Sequence, residues 1–153
     1  MRIEFKFNPG PFRSYYEFGG VRERIRCSGM FYWNFNGQTY RTCASNYPKI
    51  YRVDIYRGEV EIGEQFSLDT SWSWRINPPS MWNVVDIAGR NWQIVETWNA
   101  NIWSVDWKSV DGKRIMSFRR QRCWRGTAVI RPDWSENVGL LVGLVIPLCL
   151  STG

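Results

Sequence analysis

From Val138 to Leu150 the chain reads VGLLVGLVIPLCL, thirteen consecutive residues with no charge and no polar side chain beyond one thiol. As an α-helix this stretch spans about 20 Å at 1.5 Å per residue. A bilayer's hydrocarbon core needs about 30 Å, or about 20 residues, so the stretch is short for a membrane span. A helix apolar on all sides must be buried on all sides. In a β-rich chain, the inside of a closed barrel offers that environment. The expected core helix covers residues 135–150. Asp133 or Ser135 suits its N-cap, Glu136 suits the positive end of its dipole, and Pro147 is expected to kink or end the last turn. The other readings of the stretch are a final core strand, a helix packed on an edge, and a tail anchor. Inside a barrel, Leu141, Leu144, Val145 and Leu148 are all expected to be fully buried.

Upstream, the dominant period is two. In RIEFKF, Ile3, Phe5 and Phe7 share one face and Arg2, Glu4 and Lys6 the other. MFYWNFN runs into Asn36-Gly37, a strong hairpin signal, and on into QTYRTCA. IYRVDIY meets Arg57-Gly58 and returns as EVEIGEQF, and SWSWRI stops at Asn77-Pro78-Pro79. WNVVDI turns at Ala88-Gly89 into NWQIVETW, NIWSVDW leads through Asp111-Gly112 into KRIMSFRR, and CWRGTAVI closes at Pro132-Asp133. With VRERIR after Gly20, this makes about twelve strands joined by regularly spaced turns, the pattern of an antiparallel barrel or sandwich. No repeat, low-complexity tract or linker interrupts the run. The expected architecture is one mainly β domain over residues 1–153: a closed barrel of about twelve mostly antiparallel strands around a hydrophobic C-terminal helix.

Composition limits the chemistry. The chain has no His, which excludes a Ser-His-Asp triad, a Cys-His dyad and His-based zinc or iron sites. No G-x-G-x-x-G, P-loop or G-x-S-x-G motif occurs. Carboxylates are scattered; Glu59 and Glu61 share a strand face and Glu64 follows Gly63. The expectation is a non-enzymatic protein with no cofactor and no metal. Cys27, Cys43, Cys123 and Cys149 form no CxxC pair. Reduced thiols are the default, with a Cys27–Cys43 bridge as the alternative. MRIEFKFNPGPF has no continuous apolar core, so it does not read as a signal peptide. The expected location is cytoplasmic, at most peripheral to a membrane.

The segment from Lys113 to Leu150, KRIMSFRRQRCWRGTAVIRPDWSENVGLLVGLVIPLCL, resembles the closing segment of the tubby C-terminal-like superfamily, which includes phospholipid scramblases and LURP-one-related proteins. The shared pattern is a strand ending in basic residues, a short link with Trp, a strand, an acidic cap and an apolar helix. The turns at Asp86-Ile87-Ala88-Gly89 and Val110-Asp111-Gly112 resemble that family's D-x-x-G corners. The resemblance implies a closed twelve-stranded barrel threaded by its C-terminal helix and a bias toward membrane-surface or lipid association. The calcium-site motif and Cys-rich segment of animal scramblases do not align here, nor does the Lys/Arg pattern of tubby proteins. Neither scrambling nor a phosphoinositide site is therefore carried over.

A net charge of +6 favours an anionic partner. The densest basic cluster is FRRQRCWRG, with Arg119, Arg120, Arg122 and Arg125 around Trp124. Arg suits bidentate phosphate contacts, and a neighbouring Trp suits a headgroup interface or a stacked base. In VRERIR, Arg22, Arg24 and Arg26 share a face opposite Val21, Glu23 and Ile25. The bland alternative for both clusters is a solvated strand that protects an edge from pairing. The even spacing of Trp72 with Trp74, Trp92 with Trp98 and Trp103 with Trp107 reads as core packing rather than a stacking platform. The eight residues Arg22, Arg24, Arg26, Arg119, Arg120, Arg122, Trp124 and Arg125 are thus the candidate anion-binding set. The expected partner is an anionic lipid or membrane surface; the alternatives are single-stranded nucleic acid, another anionic ligand, or a structural and assembly role.

Overall fold

The computed structural model of the chain describes residues 1–7, 14–28, 30–47, 50–67, 81–87, 90–99, 102–109, 111–120 and 125–151. The strands are β1 (Arg2–Lys6), β2 (Tyr15–Phe18), β3 (Val21–Arg24), β4 (Arg26–Cys27), β5 (Phe31–Phe35), β6 (Gln38–Tyr47), β7 (Ile50–Arg57), β8 (Val60–Ser67), β9 (Met81–Ile87), β10 (Arg90–Asn99), β11 (Ile102–Ser109), β12 (Arg114–Arg120) and β13 (Arg125–Ile130). A 3-10 helix (Pro132–Asn137) leads into one α-helix, α1 (Val138–Ser151). The protein is mainly β with a C-terminal helix, as expected. Among the described residues no helix is long and apolar enough to cross a membrane.

All thirteen strands belong to one antiparallel sheet, in the order β3-β2-β1-β13-β12-β11-β10-β9-β8-β7-β6-β5-β4. Two differences from the expected strands stand out. β2 was not expected, and VRERIR divides at Ile25 into β3 and β4, which pair with different neighbours. The expected strand SWSWRI lies outside the described residues. Local turn chemistry operates as expected at Asn36-Gly37, where φ of 49° and 75° makes the tight hairpin that these residues favour.

One long-range pairing sets the topology. β1 zips onto β13, from Arg2 opposite Val129 to Lys6 opposite Arg125. The Met1 carbonyl accepts from Ile130 N–H at 2.8 Å to extend the ladder. The two outermost strands, β3 and β4, are separated by Ile25 alone, so both ends of the sheet belong to one run of chain. Ile25 is buried, and its N–H donates to the Ser14 carbonyl at 2.8 Å. Side chains bridge the same seam. The Tyr16 hydroxyl of β2 donates to the Asn34 carbonyl of β5. The rings of Phe18 and Phe35 meet edge to face at 6.2 Å.

Alternation divides the sheet faces as the sequence pattern implies: Ile3, Phe5 and Phe7 are buried while Arg2 and Glu4 are exposed. Trp33, Trp107 and Trp92 are buried too, in keeping with a packing role. Trp72 and Trp74 lie outside the described residues, and Trp98 and Trp103 are described only as strand positions. The helix contacts β5, β6, β7, β8 and β12. Every residue from Val138 to Ile146 is buried, Leu141, Leu144 and Val145 completely. The side chain of Leu148 lies outside the described residues.

The start of the helix differs from expectation, and its end lies one residue beyond the expected 150. Pro132–Asn137 is 3-10, and α1 begins at Val138 rather than near residue 135. No side chain caps this segment; Asp133 instead forms a two-point ion pair with Arg131, at 2.7 and 3.2 Å. Of the kink or end expected at Pro147, the end does not occur, since the helix continues to Ser151. A Pro within a helix costs about 3 kcal/mol. Burying the seven aliphatic side chains between Val138 and Ile146 contributes about 1.5–3 kcal/mol each, which outweighs that cost.

Candidate anion-binding row

The outward face near one end of β1 carries two rows of charged side chains whose composition differs. Outward positions are those between buried ones: Glu4 and Lys6 on β1 flank Phe5, and Arg125 and Thr127 on β13 flank Gly126. On β2, Tyr15 and Glu17 flank buried Tyr16, and on β3, Arg22 and Arg24 are exposed.

The inner row runs Arg22–Glu17–Glu4–Thr127–Arg119 across β3, β2, β1, β13 and β12. It balances itself in part. Arg22 pairs with Glu17 at 3.4 Å, and Glu4 accepts from the Thr127 hydroxyl at 2.8 Å. The outer row, two residues nearer the strand ends, runs Arg24–Tyr15–Lys6–Arg125 across β3, β2, β1 and β13. It holds three cations and no carboxylate. With strands about 4.8 Å apart, it extends about 14 Å. Lys6 and Arg125 stand directly opposite one another on adjacent strands, an arrangement that is destabilising when nothing offsets it. Among the described residues, Lys6, Arg24, Arg119 and Arg125 take part in no ion pair. The Arg22 guanidinium lies 4.1 Å above the Tyr15 ring, which adds a fourth cation to the edge of the row.

The expected site residues are thus partly united. Arg24 and Arg125 share the outer row, and Arg22 and Arg119 share the inner one, although the two clusters are about 100 residues apart in the chain. Arg120 is exposed but pairs with Gly126, in line with the inward row of Phe5 and Tyr16, so it sits at the rim rather than on the outer face. Arg26 is exposed on β4, opposite Tyr32, beyond the switch at Ile25. Arg122 and Trp124 lie outside the described residues. Val21, expected on an apolar face, is 58% exposed. Reasoning from sequence missed Lys6 and Tyr15. Lys6 was visible only as the last polar residue of an alternating strand, and its position opposite Arg125 follows from a pairing between the two ends of the chain.

A second charged group lies on β7 and β8. The register shifts between Ile55 and Tyr56, leaving Ile62 as an extra residue, so that Glu61 and Glu64 fall on one face with Asp54. Carboxylate oxygens of the three lie within 4.8 Å of one another. The Tyr56 hydroxyl beside them titrates above its ordinary value, through lost hydration first and then through Glu61, Asp54 and Cys43, with Arg41 opposing. Arg41 covers the Tyr56 ring at 4.5 Å and reaches Glu59 at 3.8 Å.

Cys43 is a free thiol and contacts the Met30 sulfur at 3.2 Å. The bridge to Cys27 is not formed, and register explains why. Cys27 pairs with Phe31, which pairs with buried Thr42, whereas Cys43 is the next residue and belongs to the opposite face.

Compared with protein-family models, with curated proteins and with solved structures, the chain gives no match.

Proposed function

We propose that this chain is a non-enzymatic β-barrel that binds an anionic membrane surface or lipid headgroup through its outer row, Arg24, Lys6 and Arg125, with Arg22 and Arg119 beside it. The observation that carries this reading is the row's composition: three cations across four consecutive strands with no carboxylate among them, next to a row that is partly paired internally. Anions brought to such a row relieve the repulsion between its members and release counterions.

The architecture proposed is a closed ring. If Val21–Cys27 is taken as one strand bent at Ile25, the ring has twelve strands. Three features support closure: the continuity of β3 and β4, the Tyr16–Asn34 and Phe18–Phe35 contacts across the seam, and a helix buried from Val138 to Ile146. A closed ring around a C-terminal helix is also what the resemblance to tubby-like proteins implies, and we propose that relationship on the same grounds.

Single-stranded nucleic acid is the less favoured partner. Its recognition draws on aromatic faces open to bases, often beside Arg or Lys. Here Trp33, Trp92 and Trp107 are buried and the Tyr15 ring is covered by Arg22. Co-sedimentation with anionic and neutral vesicles, beside filter binding of an oligonucleotide, tests the choice. Retention by anionic vesicles alone supports the proposal; retention by the oligonucleotide alone overturns it.

A further inference from the structure

We infer that the outer row is a phosphate clamp, in which Lys6 and Arg125 together grip one phosphomonoester group while Arg24 and the Tyr15 hydroxyl flank it. This inference rests on reading the row as an anion-binding surface and adds which anion it selects.

Three features of the row lead there. Lys6 and Arg125 are cross-strand partners, so their side chains leave the sheet about 5 Å apart. Two long side chains at that separation converge on one small group rather than on two separate ones. Second, their charges sum to two. A phosphomonoester approaches two negative charges near neutral pH, whereas a carboxylate or a phosphodiester carries one. Only the monoester balances the pair alone. Third, the row offers donors. Lys and Arg can only donate hydrogen bonds, and the Tyr15 hydroxyl donates as well. A monoester presents three acceptor oxygens, and the planar guanidinium of Arg125 matches two of them at once.

The neighbouring row shows the contrast. There the carboxylates of Glu17 and Glu4 already occupy Arg22 and Thr127, so a bound anion would meet acceptors as well as donors. One residue pair further toward the strand ends, no acceptor carboxylate remains in the row. Selectivity for a doubly charged acceptor therefore belongs to Lys6 and Arg125 and not to the basic face in general.

The test uses the full chain and phosphatidylcholine vesicles that contain either phosphatidic acid, a monoester, or phosphatidylserine, a diester with a carboxylate, matched in surface potential. The expected result is about tenfold tighter binding to the phosphatidic acid vesicles. Arg125→Lys keeps the charge but loses the fork, and Lys6→Ala removes one arm. Each is expected to bring the two vesicle types within about twofold of one another. Arg125 is exposed and Lys6 half-buried on the outward face, and Arg114→Ala, which removes an Arg paired with Asp106 elsewhere on the sheet, is expected to retain the preference. Calorimetry with inorganic phosphate at constant ionic strength separates the sources. Binding of free phosphate that Lys6→Ala abolishes points to a soluble phosphate group, and a preference seen only on vesicles points to a lipid headgroup; either upholds the clamp. Equal, salt-sensitive binding to both vesicle types overturns the clamp and leaves the anionic-surface reading standing. So does a preference that survives in Arg125→Lys and Lys6→Ala. No binding to vesicles or to phosphate overturns both.

Discussion

The indole N–H of Trp33 donates to the Gly139 carbonyl across 2.8 Å in the core, tying β5 to the first turn of α1. The same indole stacks on Tyr40, with ring centroids 6.0 Å apart. The helix is thus fixed in both depth and rotation by one strand's aromatic side chain. Trp33→Phe keeps an aromatic ring but removes the donor and some volume. It is expected to lower the unfolding free energy by about 2–4 kcal/mol, from the lost buried hydrogen bond and the cavity together. Urea denaturation provides the measurement, and unchanged stability would show that the bond is replaced.

Gly139 and Gly143 form the helix surface that meets this aromatic pair. A Cβ on Gly139 would lie 2.2 Å from the Tyr40 ring, and one on Gly143 would lie 3.0 Å from Trp33 and Ile55. Gly139→Ala is therefore expected to cost at least about 1–3 kcal/mol through overpacking, and Gly143→Ala less. Because the clash is with a side chain, adding Tyr40→Leu to Gly139→Ala should recover part of the loss. A double-mutant cycle in urea reads the coupling, and strict additivity would contradict the packing described.

Leu144 is completely buried at the middle of the helix. Leu144→Asp places a carboxylate there without a partner, a change on the scale of several kcal/mol for an unpaired buried charge. The expected outcome is insoluble or unfolded protein, judged by soluble yield and circular dichroism. A soluble, native-like Leu144→Asp protein would mean that this part of the helix is not enclosed.

The Tyr16 hydroxyl keeps its proton well above the ordinary tyrosine range, first because it is buried and then because Glu23 and Tyr40 lie near it. The folded state binds this proton more tightly than the unfolded chain does. The resulting stability is fully present below about pH 10 and is lost as pH rises beyond that value. Tyr16→Phe is expected to be less stable at neutral pH, because the bond to Asn34 is gone, but to lose less on going alkaline. Urea midpoints of both proteins from neutral to alkaline pH provide the check; parallel curves would contradict the assignment.

Much of the fold was legible because its signals are local. The alternation of Ile3, Phe5 and Phe7, the Asn36-Gly37 turn and the charge-free run after Val138 each depend on neighbours within a few residues, and each appears as read. β2 escaped notice because Tyr15-Tyr16-Glu17-Phe18 is short and has no clean alternation. The split at Ile25 was hidden because the residue pattern is continuous while the pairing partner changes. The same limit applies to the candidate site. Arg22, Arg24 and Arg125 could be picked out as members of basic runs, but the joining of β1 to β13 that sets Lys6 beside Arg125 is a tertiary event with no local mark. The helix does not end at Pro147, because burial of the side chains before it, from Val138 to Ile146, outweighs the cost of the proline.

Binding to anionic surfaces through the outer row is read out by a salt series of vesicle co-sedimentation with Lys6→Glu/Arg125→Glu. The wild-type chain is expected to bind anionic vesicles at low salt, with affinity falling steeply as salt rises, because each neutralised charge releases counterions. The double variant is expected to lose that binding at every salt concentration. Arg57→Glu, an exposed charge reversal on β7 away from the row, is expected to retain it. Binding by Lys6→Glu/Arg125→Glu that matches the wild type in strength and salt dependence would show that the outer row does not carry it.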